Sequence, residues 1–173
     1  MVFKVLRRGR VISSKGIIDD GYVVVKDGVI VDVGREPVDL ASSSGVDVVD
    51  LEGALIVPGF IDTHTHGIGG IDFTSHDPYR VLDAARRYVE YGVTSFIVSL
   101  VTSPLDVVVK VCKAVREINE HYWTPSHGSR ILGVHLEGPY ISPEYAGAQN
   151  PRYMRRPDVR ELASIIELCG DGV

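Results

Sequence analysis

After Pro58 the sequence states one phrase three times: an apolar strand, a polar loop at its end, then a helix. The strands are FIDTHTH (60–66), TSFIVSL (94–100) and ILGVHLEG (131–138). Asp77 and Pro78 open the first helix in DPYRVLDAARRYVEYG, and Gly92 stops it. Ser103 and Pro104 open the second, where Leu105, Val108, Cys112, Val115 and Ile118 fall at helical spacing. Pro157–Cys169 is the third. This alternation implies βαβ units and a parallel sheet, because parallel neighbours need a crossover long enough to hold a helix. A closed (β/α)8 barrel takes about 250 residues. Three units are therefore either a small open sheet or the front of something longer.

The first 57 residues have a different rhythm. VFKVLRRGRVI, GYVVVKDGVIVDVG and VDVVDLEGALIV are β-branched runs broken by Gly, Asp and Ser. The Asp27-Gly28 pair is a tight-turn signal joining YVVV to VIVDV, and ASSSG (41–45) reads as a loop. A small antiparallel β unit over 1–57 followed by an α/β unit over 58–173 is the expected organisation.

With 45% apolar residues the chain of 173 can bury a core. Its formal charge of −5 argues against nucleic acid and anionic membrane as partners, since both need clustered positive charge. The basic stretches Arg7–Arg8 and Arg152–Arg156 are short and interrupted, and read as solvated faces. The N-terminus is broken by charge every few residues, unlike a secretory leader. No apolar run approaches the ~20 residues of a spanning helix. Cys112 and Cys169 stand far apart without a metal or redox spacing, so buried thiols in a reducing compartment, the cytoplasm, are expected.

Chemistry concentrates at the strand ends. Alternation puts His64 and His66 on one face of a strand whose carboxyl end is where parallel sheets carry their sites. Two neutral imidazoles there can hold a divalent cation, but H-x-H alone is a weak signal. Glu137, ending another strand of the same sheet, adds a carboxylate that can ligate the same ion or bridge two. His135 reads as a packed histidine supporting the site rather than a ligand, and Asp62 as a packed or supporting carboxylate. His76, His121 and His127 read as structural or exposed.

PGFIDTHTHGIGGIDF, GVTSFIVSL and above all GVHLEGPYISPEYAGAQNPRYMRRPD resemble the N-acetylglucosamine-6-phosphate deacetylases of the amidohydrolase superfamily. PGFID-x-H-x-H marks only the superfamily, whereas HLEGP followed by GAQNP is far more specific. The resemblance runs from about residue 10 onward. It implies a metal-dependent amidohydrolase-like (β/α)8 TIM barrel, of which this chain holds the first three βα units, preceded by part of a small β-sandwich. It also implies hydrolysis of the acetamide of N-acetylglucosamine 6-phosphate to glucosamine 6-phosphate and acetate.

By the same resemblance Glu137 matches the metal-binding glutamate, and His64 and His66 match the strand-one pair. Ala148 and Gln149 fall where the loop after the third strand touches the sugar. One or two ions are implied; zinc, iron, manganese and cobalt all suit these ligands. Family members are about twice as long, so their later metal histidines and catalytic aspartate match positions beyond Val173. No catalytic residue is assigned here, and the chain alone is expected to be weak or inactive. The implied partners are a small amino-sugar phosphate and, for the complete enzyme, a second copy in a homodimer or a complementing C-terminal chain. Another amidohydrolase, acting on a cyclic amide or a nucleobase, and a non-catalytic half-barrel module are the alternatives.

Overall fold

The computed structural model describes residues 3–35, 45–74 and 77–170, which leaves most of the ASSSG segment and His76 outside the described residues. The chain divides into two compact units, 1–58 and 59–173.

The first unit is one sheet. Strand β1 (Phe3–Ser13) pairs antiparallel with β2 (Gly16–Lys26), which pairs antiparallel with β3 (Val29–Gly34). The β2–β3 turn is Asp27-Gly28, with φ of +48° and +84°. Both central residues are left-handed, as a two-residue hairpin between right-twisted strands requires. The unit is not wholly antiparallel as expected: β4 (Val46–Asp50) and β5 (Leu55–Ile56) both join β1 in parallel. The resulting order is β3-β2-β1-β4, with β2 and β4 on opposite sides of β1. Val5, Tyr22 and Val24 are buried, with Phe3, Val46 and Val48 packed against them.

The second unit is an α/β layer. β6 (Phe60–Thr65), β9 (Val93–Leu100) and β10 (Arg130–Leu136) form a parallel sheet in the order β10-β9-β6. Between β6 and the first helix, the GIGGID segment folds as a small ribbon of β7 (Gly67–Ile68) and β8 (Ile71–Asp72). Gly67 is obligatory there, because a Cβ would overlap the carbonyl oxygen of Ile71.

Asp77 accepts from the amide of Tyr79 and opens a short 3-10 turn over Pro78–Arg80; α1 (Val81–Val89) follows. The chain leaves that helix at Gly92, φ +76°. α2 (Leu105–Glu117) begins after Pro104, and Ser103 donates to the Val101 carbonyl instead of capping the helix. α3 (Val159–Cys169) starts two residues later than expected, because the carboxylate of Asp158 accepts from the amides of Arg160 and Glu161.

One core joins the sheet to the helices. Phe96, Val98 and Leu100 of β9 meet Val81, Ala84, Ala85 and Tyr88 of α1 and Val108, Val111 and Val115 of α2. Cys112 and Cys169 also lie in this core, at 1% and 5% exposure, but not as thiols: they form a disulfide that ties α2 to α3. Both cysteines face inward from helices packed on each other, so a sequence separation of 57 becomes a contact. Such a bridge is rare in mesophilic cytosol, so the cysteines no longer support a cytoplasmic location. Among the described residues no helix is long and apolar enough to cross a membrane.

Candidate metal centre

The carboxyl ends of β6 and β10 bring three donors together. The Nε2 of His66 lies 3.3 Å from Glu137 Oε2, and the Nε2 of His64 lies 3.7 Å from the same oxygen. One ligand atom from each of the three residues falls within 4.8 Å of the others. Metal–ligand bonds of about 2.0–2.2 Å at tetrahedral angles place neighbouring ligand atoms about 3.4 Å apart. The two separations to Glu137 Oε2, 3.3 and 3.7 Å, are close to that spacing.

Each donor is aimed by the backbone around it. Glu137 follows β10 directly, and its amide donates to the Leu100 carbonyl at 3.2 Å, extending the β9–β10 ladder one residue. His66 Nδ1 lies 3.0 Å from the carbonyl oxygen of Ser99. A carbonyl can only accept, so Nδ1 carries a proton, and in the neutral ring Nε2 then presents its lone pair to the site. The ring of His64 stands edge-on to both His66 and His135, with centroids 5.1 Å apart in each case.

The fit of this donor set to a cation rests on one atom. Glu137 Oε2 is buried and has no hydrogen-bond partner among the described residues. A buried carboxylate oxygen without a partner is costly. A divalent cation held by Glu137, His64 and His66 would satisfy that oxygen. The imidazoles are about half exposed, with side chains at 51% and 43%, so the site opens to solvent on their side.

The other residues singled out in the sequence lie around this group. Asp62 Oδ1 accepts from the amide of His64 at 3.2 Å and stays outside the donor set. His135 contacts the Ser99 hydroxyl through Nδ1 at 3.2 Å. Ala148 is exposed in the loop after β10. Gln149 turns its side-chain carbonyl inward, where it accepts from the amide of Thr102 at 2.6 Å. His127 pairs with Thr124, and His121 is exposed beside Glu120.

Two supporting residues carried no motif signal. Ser99 is fully buried at the end of β9. Tyr88 sends its hydroxyl to Thr65 Oγ1 at 2.6 Å and to the Gly67 carbonyl at 3.1 Å, bracketing His66. Burial raises the pKa of this phenol and keeps it neutral. A serine among the apolar residues that end the strand was the one available sign of the first; nothing in the sequence marked the second.

Residues 55–173 match the amidohydrolase family. The chain belongs to that family. It is 32% identical over 162 residues to N-acetylgalactosamine-6-phosphate deacetylase from Escherichia coli O157:H7, covering 94% of this chain and 40% of that protein. It is 45% identical over 124 residues to N-acetylglucosamine-6-phosphate deacetylase from Bos taurus, covering 70% of this chain and 29% of that one. Among solved structures, the Mycobacterium smegmatis N-acetyl-D-glucosamine-6-phosphate deacetylase in complex with N-acetyl-D-glucosamine-6-phosphate superposes with a TM-score of 0.80 at 27% identity, covering 100% of this chain and 42% of that one. The Pasteurella multocida N-acetylglucosamine-6-phosphate deacetylase gives 0.84 at 24%, over 99% and 43%, which is a likeness of fold. The amidohydrolase chain described here thus spans about 40% or less of the length of these curated relatives.

Proposed function

We propose that this chain carries one wall of the metal site of an amino-sugar-phosphate deacetylase. The overall reaction is hydrolysis of the acetamide of N-acetylglucosamine 6-phosphate to glucosamine 6-phosphate and acetate. The observation that carries the proposal is the buried Glu137 oxygen, without a hydrogen-bond partner among the described residues, facing the Nε2 atoms of His64 and His66. It is supported by the names of the relatives, which deacetylate this class of substrate.

A divalent cation at this site would supply Lewis-acid polarisation of the acetamide carbonyl and ready a water for attack. The remaining contributions belong to the protein. Glu137 brings the negative charge that makes the site a cation site, and the two imidazoles bring neutral nitrogen. Ser99 holds His66 with Nε2 free. The exposed side of the histidines leaves the room a substrate carbonyl needs. No residue of this chain is given the proton-shuttling role, since Asp62 spends an oxygen on the His64 amide.

We further read residues 58–173 as the first three βα units of a TIM barrel and 1–57 as part of a β-sandwich. Ala148 and Gln149 are proposed to border the sugar. With Gln149 Oε1 accepting from Thr102, its two amide N–H donors are the groups it would offer to acceptor oxygens of a ligand.

A second substrate reading, the N-acetylgalactosamine epimer, is favoured by the Escherichia coli relative, whose similarity runs over 94% of this chain. The test is acetate release by the whole protein from both epimeric 6-phosphates, beside a hydantoin and a nucleobase. Release from one or both sugars is the expected result. Ring opening or ammonia release with no acetate would sink the proposal.

A further inference from the structure

β6 does not follow β9 evenly. Asp62 pairs with Phe96 and Thr65 with Val98, so three steps on β6 stand against two on β9. The extra residue falls at Thr63–His64 and forms a bulge, a device that re-aims side chains beside sites. A bulge interrupts the ladder, and the Thr65 amide turns to a side chain for its acceptor: the hydroxyl of Ser99, at 3.3 Å.

Ser99 meets the site in three ways. Its hydroxyl accepts from the Thr65 amide, between the two histidines. The same hydroxyl lies 3.2 Å from Nδ1 of His135, its register partner on β10. Its main-chain carbonyl accepts from His66 Nδ1–H. The hydroxyl has one proton, and the acceptor within its reach among the described residues is His135 Nδ1. His135 is then protonated at Nε2, and its ring backs His64 edge-on. Ser99 is 0% exposed, so no solvent competes for these bonds.

We propose that Ser99 is a positioning residue of the metal centre. Its hydroxyl holds the bulge of β6 and the ring of His135, and through them orients His64 and His66 toward Glu137. This rests on reading His64, His66 and Glu137 as a metal site. Outer partners of this kind typically contribute 10–100-fold to metal affinity.

Two measurements test it, on wild type, Ser99→Ala and Ser99→Thr, each confirmed folded at the assay temperature by circular dichroism. The first is Zn2+ affinity by competition with a chromophoric chelator. Ser99→Ala is expected to bind about 10–100-fold more weakly, while Ser99→Thr, which keeps the hydroxyl, stays within about threefold of wild type. The second is imidazole 15N NMR of the metal-free protein. Wild type should show His66 protonated at Nδ1 and His135 at Nε2, and Ser99→Ala should lose the single His135 tautomer. Unchanged affinity and spectra in Ser99→Ala overturn the proposal, as does equal weakening by Thr. A wild type that binds no Zn2+ but shows the two tautomers, with the His135 one lost in Ser99→Ala, would fail the metal-site reading and leave the Ser99 network standing.

Discussion

Reducing the Cys112–Cys169 disulfide should destabilise the second unit by an amount that follows from where the bridge closes. The two cysteines are 57 residues apart. Chain entropy for a closed loop of that length corresponds to about 4 kcal/mol at 25 °C. For a protein of this size that is a fall in Tm of roughly 8–16 °C. The closed loop contains β10, Glu137 and the segment up to α3, so reduction also loosens the part of the chain that carries the carboxylate ligand. Because both sulfurs are buried, reductant should act slowly on the native protein and fast on partly unfolded protein. The assay is a thermal melt of the oxidised chain against the chain reduced in denaturant and refolded with reductant present, with thiols counted by alkylation and mass. Reduction is a cleaner perturbation than a double alanine variant, which also removes two packed sulfur atoms. Two alkylatable thiols in the unreduced protein would refute the reasoning, and so would oxidised and reduced forms melting within about 2 °C of each other.

Three further outcomes are expected. Glu137→Ala should abolish bound metal, read as metal per chain by mass spectrometry after loading and desalting; full retention would show that the site is misassigned. Gln149→Ala removes the acceptor of the Thr102 amide, so hydrogen exchange at Thr102 should accelerate about tenfold, the equivalent of roughly 1.4 kcal/mol; unchanged protection would mean that another group holds that amide. Burial, then the hydrogen bond to Glu161, pushes Tyr140 up to about 12. A raised pKa means that the neutral phenol is favoured in the folded state. Its stabilisation is therefore complete below the ordinary tyrosine range near 10 and lost as pH rises through about 12. The ultraviolet difference titration of wild type minus Tyr140→Phe should show one phenol ionising in that upper range, and a midpoint near 10 would contradict the contact.

Much of the second unit was legible because its signals are local. Strand runs ending in polar residues, the Asp77 and Gly92 boundaries and the period of α2 follow from backbone sterics, capping and amphipathic spacing, which neighbouring residues set among themselves. The Asp27-Gly28 turn is of the same kind. The parallel return of β4 and β5 onto β1 was not legible, since a β-branched run pairs in either direction and only the path of the chain decides which. The disulfide escaped for a similar reason: spacing along the chain carries no trace of a contact between two helices that meet through packing.

The site divides the same way. By itself the sequence determined which side chains could bind a cation and which strand ends they occupy, because alternation and the H-x-H and HLEG stretches are local facts. Only the tertiary structure decided that His64, His66 and Glu137 meet, that one Glu137 oxygen is buried without a hydrogen-bond partner among the described residues, and that Ser99 stands behind them. Those facts depend on the register between three strands and on a one-residue bulge in β6. Register is fixed by the packing of a whole sheet against its helices, and no short stretch of residues contains it.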